Sequence, residues 1–167
     1  MESYGGNHMS QDVLAKWLKA IIIGVGIFGI LVYGFMIPEC GKMFVTMYPE
    51  FSYCYYPWLI FIWMTGIPCY AVLVFAWKIA VNIQKDNSFS VENARLMKRI
   101  AGMAFFDVIF FFMGNVLFLF LNMNHPGIVL GSLLIVFIGV VVAIAAGVLS
   151  HLIAKAANLQ EQTDLTI

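Results

Sequence analysis

GIVLGSLLIVFIGVVVAIAAGVL, residues 127–149, contains no charged side chain. About 20 mostly apolar residues in helical form cross the hydrocarbon core of a bilayer. No water reaches that core, so the backbone must satisfy its own hydrogen bonds, and a single segment does so only as an α-helix. Three further stretches read the same way: 20–37, 57–77 and 100–121. The first lies in the uncharged interval between Lys19 and Glu39, and the third is broken only by Asp107. A transmembrane barrel would show short alternating segments instead. The expectation is all-α: one transmembrane domain over 1–167, an integral membrane four-helix bundle.

Composition agrees. Hydrophobic residues make up 62% of the chain, against roughly 45–50% in soluble domains. Charged residues make up 11%, less than half the usual share of about 25%. Mean hydropathy is +0.92. A soluble domain of this size cannot hide so much apolar surface, and disorder needs the opposite composition.

The scarce charges set the orientation. Lys16, Lys19, Lys78, Lys85, Arg95, Lys98, Arg99 and Lys155 fall on one side of the predicted spans, and Lys42 alone on the other. Cytoplasmic loops carry the excess of Lys and Arg. Both termini, the 78–99 segment and the 150–167 tail are therefore expected in the cytoplasm. The formal net charge is zero, so no global field points to nucleic acid, and direct nucleic-acid binding is not expected. The basic side suits anionic lipid head groups. The first span is long for a secretory signal, and no clear cleavage site follows it. Residues 1–8 are polar and Gly-rich, and two origins are open: a native start, or a leader left by cloning before Met9.

On the other side, residues 38–56 form the only sizeable predicted loop. It carries Tyr48, Phe51, Tyr53, Tyr55 and Tyr56, with Trp58 just beyond. Such rings belong to the aromatic belt of a membrane interface; an aromatic ligand cage is the alternative. Cys40 and Cys54 both lie here. On an oxidising face they form either a disulfide or two free thiols.

On the basic side the second helix is expected to run on to Asp86-Asn87. Ser90 then suits an N-cap, with Glu92 in the first turn of a new helix. Phe89, Ser90, Glu92, Asn93, Arg95, Lys98 and Arg99 are the candidate partner surface; the alternative is a hairpin anchored on the membrane by its basic residues. Residues 122–126 make a tight turn, so spans three and four pack as antiparallel neighbours. Gly139, Ala143 and Gly147 give span four a small-residue face for close helix approach, within the bundle or in a homo-oligomer.

Asp107 is the only charge-capable residue inside a span. A carboxylate there costs on the order of 3 kcal/mol or more, which makes function the default hypothesis. Helical spacing places Asn115 and Asn122 on its face, and Tyr70 of span two at similar depth as a hydrogen-bond partner. Asp107 is read as a structural node, a proton-sensitive switch or part of an ion path. His8, His125 and His151 are scattered over both sides. No metalloprotease, phosphate-loop or nucleophile-elbow motif is present. No enzymatic activity, metal or cofactor is expected.

The stretch Asn87-Ser-Phe-Ser-Val-Glu-Asn-Ala-Arg-Leu-Met-Lys-Arg-Ile100 resembles the central motif of a bacterial membrane family. That family, typified by the Bacillus protein YoaS and classed as a domain of unknown function, has a Pro/Ser-Phe-Ser-x-Glu-Asn-x-x-x-Leu-x-x-Ile pattern before the third of four helices. Phe89, Ser90, Glu92, Asn93, Leu96 and Ile100 match, and Ser88 stands where many members have Pro. The ending Asp164-Leu-Thr-Ile167 is similar too. The resemblance implies a multi-pass protein of the bacterial inner membrane, associated with a small helix-turn-helix regulator. The expected function is regulatory or sensory, sequestering or informing that regulator. The alternatives are a small transporter or channel subunit using Asp107, or an accessory subunit of a larger membrane complex.

Overall fold

The structure is a computed structural model and describes residues 5–164. Residues 1–4, half of the proposed leader, and the final 165–167 of the family-like ending lie outside the described residues. Helix α1 spans Gly5–Leu31 and passes through a π-helical turn, Val32–Met36, into α2, Ile37–Met47. A 3₁₀ turn, Pro49–Cys54, leads into α3, Tyr55–Gln84. Helices α4, Val91–Phe120, and α5, Pro126–Asp164, complete the chain. No strand occurs among the described residues. With α1 and α2 forming one rod, four helical units are long and apolar enough to cross a membrane. At 1.5 Å per residue, the 30 residues of α3 and of α4 each measure about 45 Å. That exceeds a hydrocarbon core of about 30 Å, so the helices stand out beyond it.

One expectation needs correction. The predicted loop at 38–56 is almost entirely helical. Pro38 reads as a helix stop because its ring collides with the carbonyl four residues back and its nitrogen carries no hydrogen. Here the widened π turn sits directly before it, with Ile37 N–H bonded to Val32 O. Continued in that register, the next donor to Tyr33 O would be residue 38, a proline. Trp63 Nε1 takes its place and donates to Tyr33 O at 2.9 Å. The bulge thus absorbs the proline, and an indole on α3 caps the carbonyl left behind.

Close packing follows chain order: α1 on α3, α3 on α4, α4 on α5. The α4–α5 contact is the most extensive. It rests on the small-residue face of α5, which serves packing within the chain. Val108 of α4 presses against Gly139, and Ala143 and Ala146 are buried. Ser150 Oγ donates to Ala94 O at 2.7 Å. Between α3 and α4, the Phe61 ring lies on Gly114 and makes ring contacts with Phe110 and Phe118 at centroid distances of 5.4 and 5.3 Å. Between α1 and α3, the Tyr70 hydroxyl lies over Gly29 and donates to Gly26 O at 2.9 Å. Near the termini, Ile79, Leu96, Ile100 and Ala146 form a small apolar core.

The start of α1 lies against the α3–α4 loop, since Ser88 Oγ donates to Gln11 Oε1 at 3.1 Å. Gln160 and Glu161 of α5 share a cavity with that loop. The start of α1 and the end of α5 therefore sit at one end of the molecule, the basic one. The opposite end carries Tyr48, Phe51, Tyr53, Tyr55, Tyr56 and Trp58.

Candidate functional site

At the basic end the structure separates two kinds of motif residue. Ser90 has extended backbone and its Oγ accepts the Asn93 N–H at 3.2 Å, an N-cap as expected. Asn93 is 0% exposed. Its Nδ2 donates to Asn87 O and Ser88 O at 2.9 and 3.0 Å, and its Oδ1 accepts from Asn82 Nδ2 at 2.8 Å. Asn93 therefore cannot belong to a partner surface; it ties the loop to the ends of α3 and α4. Helical geometry explains the correction: Asn93, Leu96 and Ile100 share one face of α4, and that face is buried. Asp86 turns the chain with φ of 59°, a conformation that Asp and Asn tolerate better than most residues.

Phe89, Glu92, Arg95, Lys98 and Arg99 stay outside. Phe89 is 60% exposed although it sits on a tightly hydrogen-bonded loop. The Arg99 guanidinium lies over the Phe75 ring at 5.9 Å, a cation–π placement. Beside the loop lies a cavity of about 490 Å³, reached by Gln11, Asn87, Phe89, Gln160 and Glu161. The start of α1 is fastened there as well. Gln84 Nε2 donates to Asp12 Oδ1 at 2.8 Å, and Lys16 pairs with Asp12 at 2.6 Å. The Lys16 ammonium and the Gln84 amide hold the Asp12 carboxyl below the usual carboxylate range.

Inside the membrane, Asp107 is half-buried and meets Cys69, whose Sγ lies 3.7 Å from Oδ2. Tyr70, the expected partner, instead faces α1, because successive side chains on a helix point about 100° apart. Polar groups continue beyond Cys69. One helical turn before Cys69, Thr65 Oγ1 lies 3.3 Å from the Tyr33 hydroxyl. Thr65 Oγ1 donates back to Ile62 O at 2.7 Å. Asp107 Oδ1 is buried and has no hydrogen-bond partner among the described residues. Tyr33, Thr65 and Cys69 went unselected in the sequence because each is an ordinary occupant of an apolar helix. Only the π turn at Val32–Met36 marks the spot, and such turns often accompany functional positions.

The remaining candidates separate. Asn115 is 1% exposed, but it serves the α4–α5 turn: Asn124 Nδ2 donates to its backbone and side-chain oxygens, both at 3.2 Å. Asn115 Nδ2 donates to Phe111 O at 2.9 Å, and no hydrogen bond joins Asn115 to Asp107. Asn122 is exposed in the turn, with φ of 54°. Tyr53 and Trp58 hold that turn from outside by donating to Asn122 O and Met123 O at 3.2 and 2.9 Å. Cys40 and Cys54 are free thiols, Cys40 exposed on α2 and Cys54 buried at the end of the 3₁₀ turn. The structure thus has the free-thiol alternative of the two sequence readings. Among the described residues no three His, Cys, Asp or Glu side chains gather into a metal-binding group.

Residues 42–167 match the family described as "Protein of unknown function (DUF2975)". The chain belongs to that family. It is also similar to the "Uncharacterized membrane protein YoaS" of Bacillus subtilis (strain 168), 30% identical over 163 residues, 96% of this chain and 99% of that protein. No solved structure matches the chain. The family's motif pattern thus has a structural reading: one residue caps α4, one ties down the loop, and two pack the core. Phe89 and Glu92 are the motif residues left facing outward.

Proposed function

We propose that the chain is a non-enzymatic regulatory or sensory protein of the bacterial inner membrane, with its termini in the cytoplasm. Its basic end docks a cytoplasmic partner, and a small helix-turn-helix regulator is the partner class we favour. The observation that carries this reading is the exposed Phe89 on a loop that Asn93 holds rigid, flanked by Glu92, Arg95, Lys98 and Arg99. A pre-ordered aromatic beside exposed charges loses little conformational entropy on binding, and aromatic and Arg anchors dominate interface energetics. The positive excess at this end supports the cytoplasmic orientation. Capture of the tagged protein from solubilised native membranes tests the reading. Phe89→Ala and Arg95→Glu are expected to remove an enriched regulator; no enriched regulator, or no effect of either change, refutes it.

A second reading is supported by the unpartnered Asp107 Oδ1 beside a polar cluster of Cys69, Thr65 and Tyr33. In it the protein conducts protons or ions. Gradient-driven flux in proteoliposomes that Asp107→Asn abolishes would establish it.

A further inference from the structure

The aromatic end encloses a half-open cavity of about 570 Å³, walled by α2, the 3₁₀ turn, the start of α3 and the α4–α5 turn. Its volume falls within the roughly 300–1,000 Å³ of small-molecule sites. Phe44, Tyr48, Phe51, Tyr55 and Trp58 supply rings to its wall, and no Asp, Glu, Lys or Arg lines it. Phe44 lies tilted against Tyr48 and Phe51, with centroids 5.0 and 6.3 Å apart. Such an array accepts another planar ring in the same tilted geometry.

Most hydrogen-bonding groups in the wall are already engaged. Trp58 Nε1 donates to Met123 O at 2.9 Å and the Tyr55 hydroxyl to Pro38 O at 3.5 Å. The Asn124 amide is used by Asn115 and by the His125 N–H. His125 Nδ1 accepts the Gly127 N–H at 3.1 Å, so the neutral ring carries its proton on Nε2. Among the nitrogen and oxygen groups of the lining side chains, two have no hydrogen bond among the described residues: His125 Nε2–H and the Tyr48 hydroxyl. Both donate. An anionic head group would find no basic side chain in the wall, and a cation would find ring faces but no carboxylate to neutralise it.

We propose that this cavity binds an uncharged lipophilic molecule with a planar ring and a carbonyl acceptor, taken up from the membrane interface. The rings hold its body, and Tyr48 and His125 donate to its oxygen. The site is independent of any partner at the basic end.

The test uses the full chain in nanodiscs of zwitterionic lipid, with 2,3-dimethyl-1,4-naphthoquinone as probe and quenching of tryptophan fluorescence as readout. Saturable quenching at one site per chain is expected. Val45→Phe, which fills the cavity, is expected to weaken binding at least tenfold. Tyr48→Phe removes only an exposed hydroxyl and keeps the test valid if the filled variant misfolds; it is expected to weaken the quinone several-fold. 2,3-Dimethylnaphthalene, which lacks the carbonyls, is expected to compete at least tenfold more weakly than unquenched quinone analogues. Linear, unsaturable quenching overturns the site. Equal competition by the hydrocarbon, or affinity unchanged in Tyr48→Phe, overturns the acceptor. Equal competition by tetraphenylphosphonium overturns the preference for an uncharged ligand.

Discussion

Replacing Asn93 by Ala strips the Asn82 amide and two loop carbonyls of their partners at once. A buried polar group left unsatisfied costs about 1–3 kcal/mol. Asn93→Ala is therefore expected to lower the thermal midpoint in detergent and open residues 85–90 to protease, while Glu92→Ala does neither. At Gly114 a methyl group would run into the Phe61 ring. Gly114→Ala is expected to cost about 1–3 kcal/mol, as overpacking does, with part recovered in the Phe61→Leu background; unfolding of both variants in detergent measures it. Residue roles were unevenly legible in the sequence. Ser90 was readable as an N-cap because the cap needs only a local hydroxyl and the turn that follows. Asn93 was not, because its partners Asn82 and Asn87 are brought to it by the hairpin. Asp107 was recognisable from its cost in lipid, but its neighbour was placed one residue off, at Tyr70 rather than Cys69, since rotation about α3 is set by packing against α1.

At the scale of the element, the rod from Gly5 to Met47 shows what periodicity can and cannot reveal. Spans two to four were legible from length and hydropathy, and the Ser90 cap marked the start of α4, but α5 runs on as helix from the expected end at 149 to Asp164. The helical continuation through Pro38 was not legible, because a π turn has no side-chain signature. Its energetics are testable through the indole that closes it. Trp63→Phe leaves Tyr33 O without a donor, at about 1–3 kcal/mol. Pro38→Ala restores a backbone N–H and lets the helix supply that donor itself. The Trp63→Phe penalty is thus expected to shrink in the Pro38→Ala background. A double-mutant cycle of thermal stability reads the coupling, and strictly additive penalties would contradict this account of the bulge.

For the whole molecule, the basic and aromatic ends impose opposite chemistry on the two faces of a membrane. Cys40 is exposed at the aromatic end. A membrane-impermeant maleimide is expected to label Cys40 in intact cells and to reach a Ser88→Cys variant, with Cys40 replaced by Ser, only after permeabilisation. The reverse pattern would place the termini outside. Whole-chain architecture was legible to the level of four crossing helices, because lipid leaves few alternatives. The order of neighbours was legible only for α4 and α5, where a short turn forces them together. The seating of α1 on α3 depends on Gly26 and Gly29 receiving one tyrosine, a match between distant residues that no local pattern announces.

That order bears on how the protein is made. Because α3 packs on α1, α4 on α3 and α5 on α4, each helix leaving the ribosome meets its resting place on one already in the bilayer. No early helix must wait with an exposed seam for a partner from the far end of the chain. The contact order allows assembly like a zip run in one direction, with the last helix to arrive closing the broadest contact.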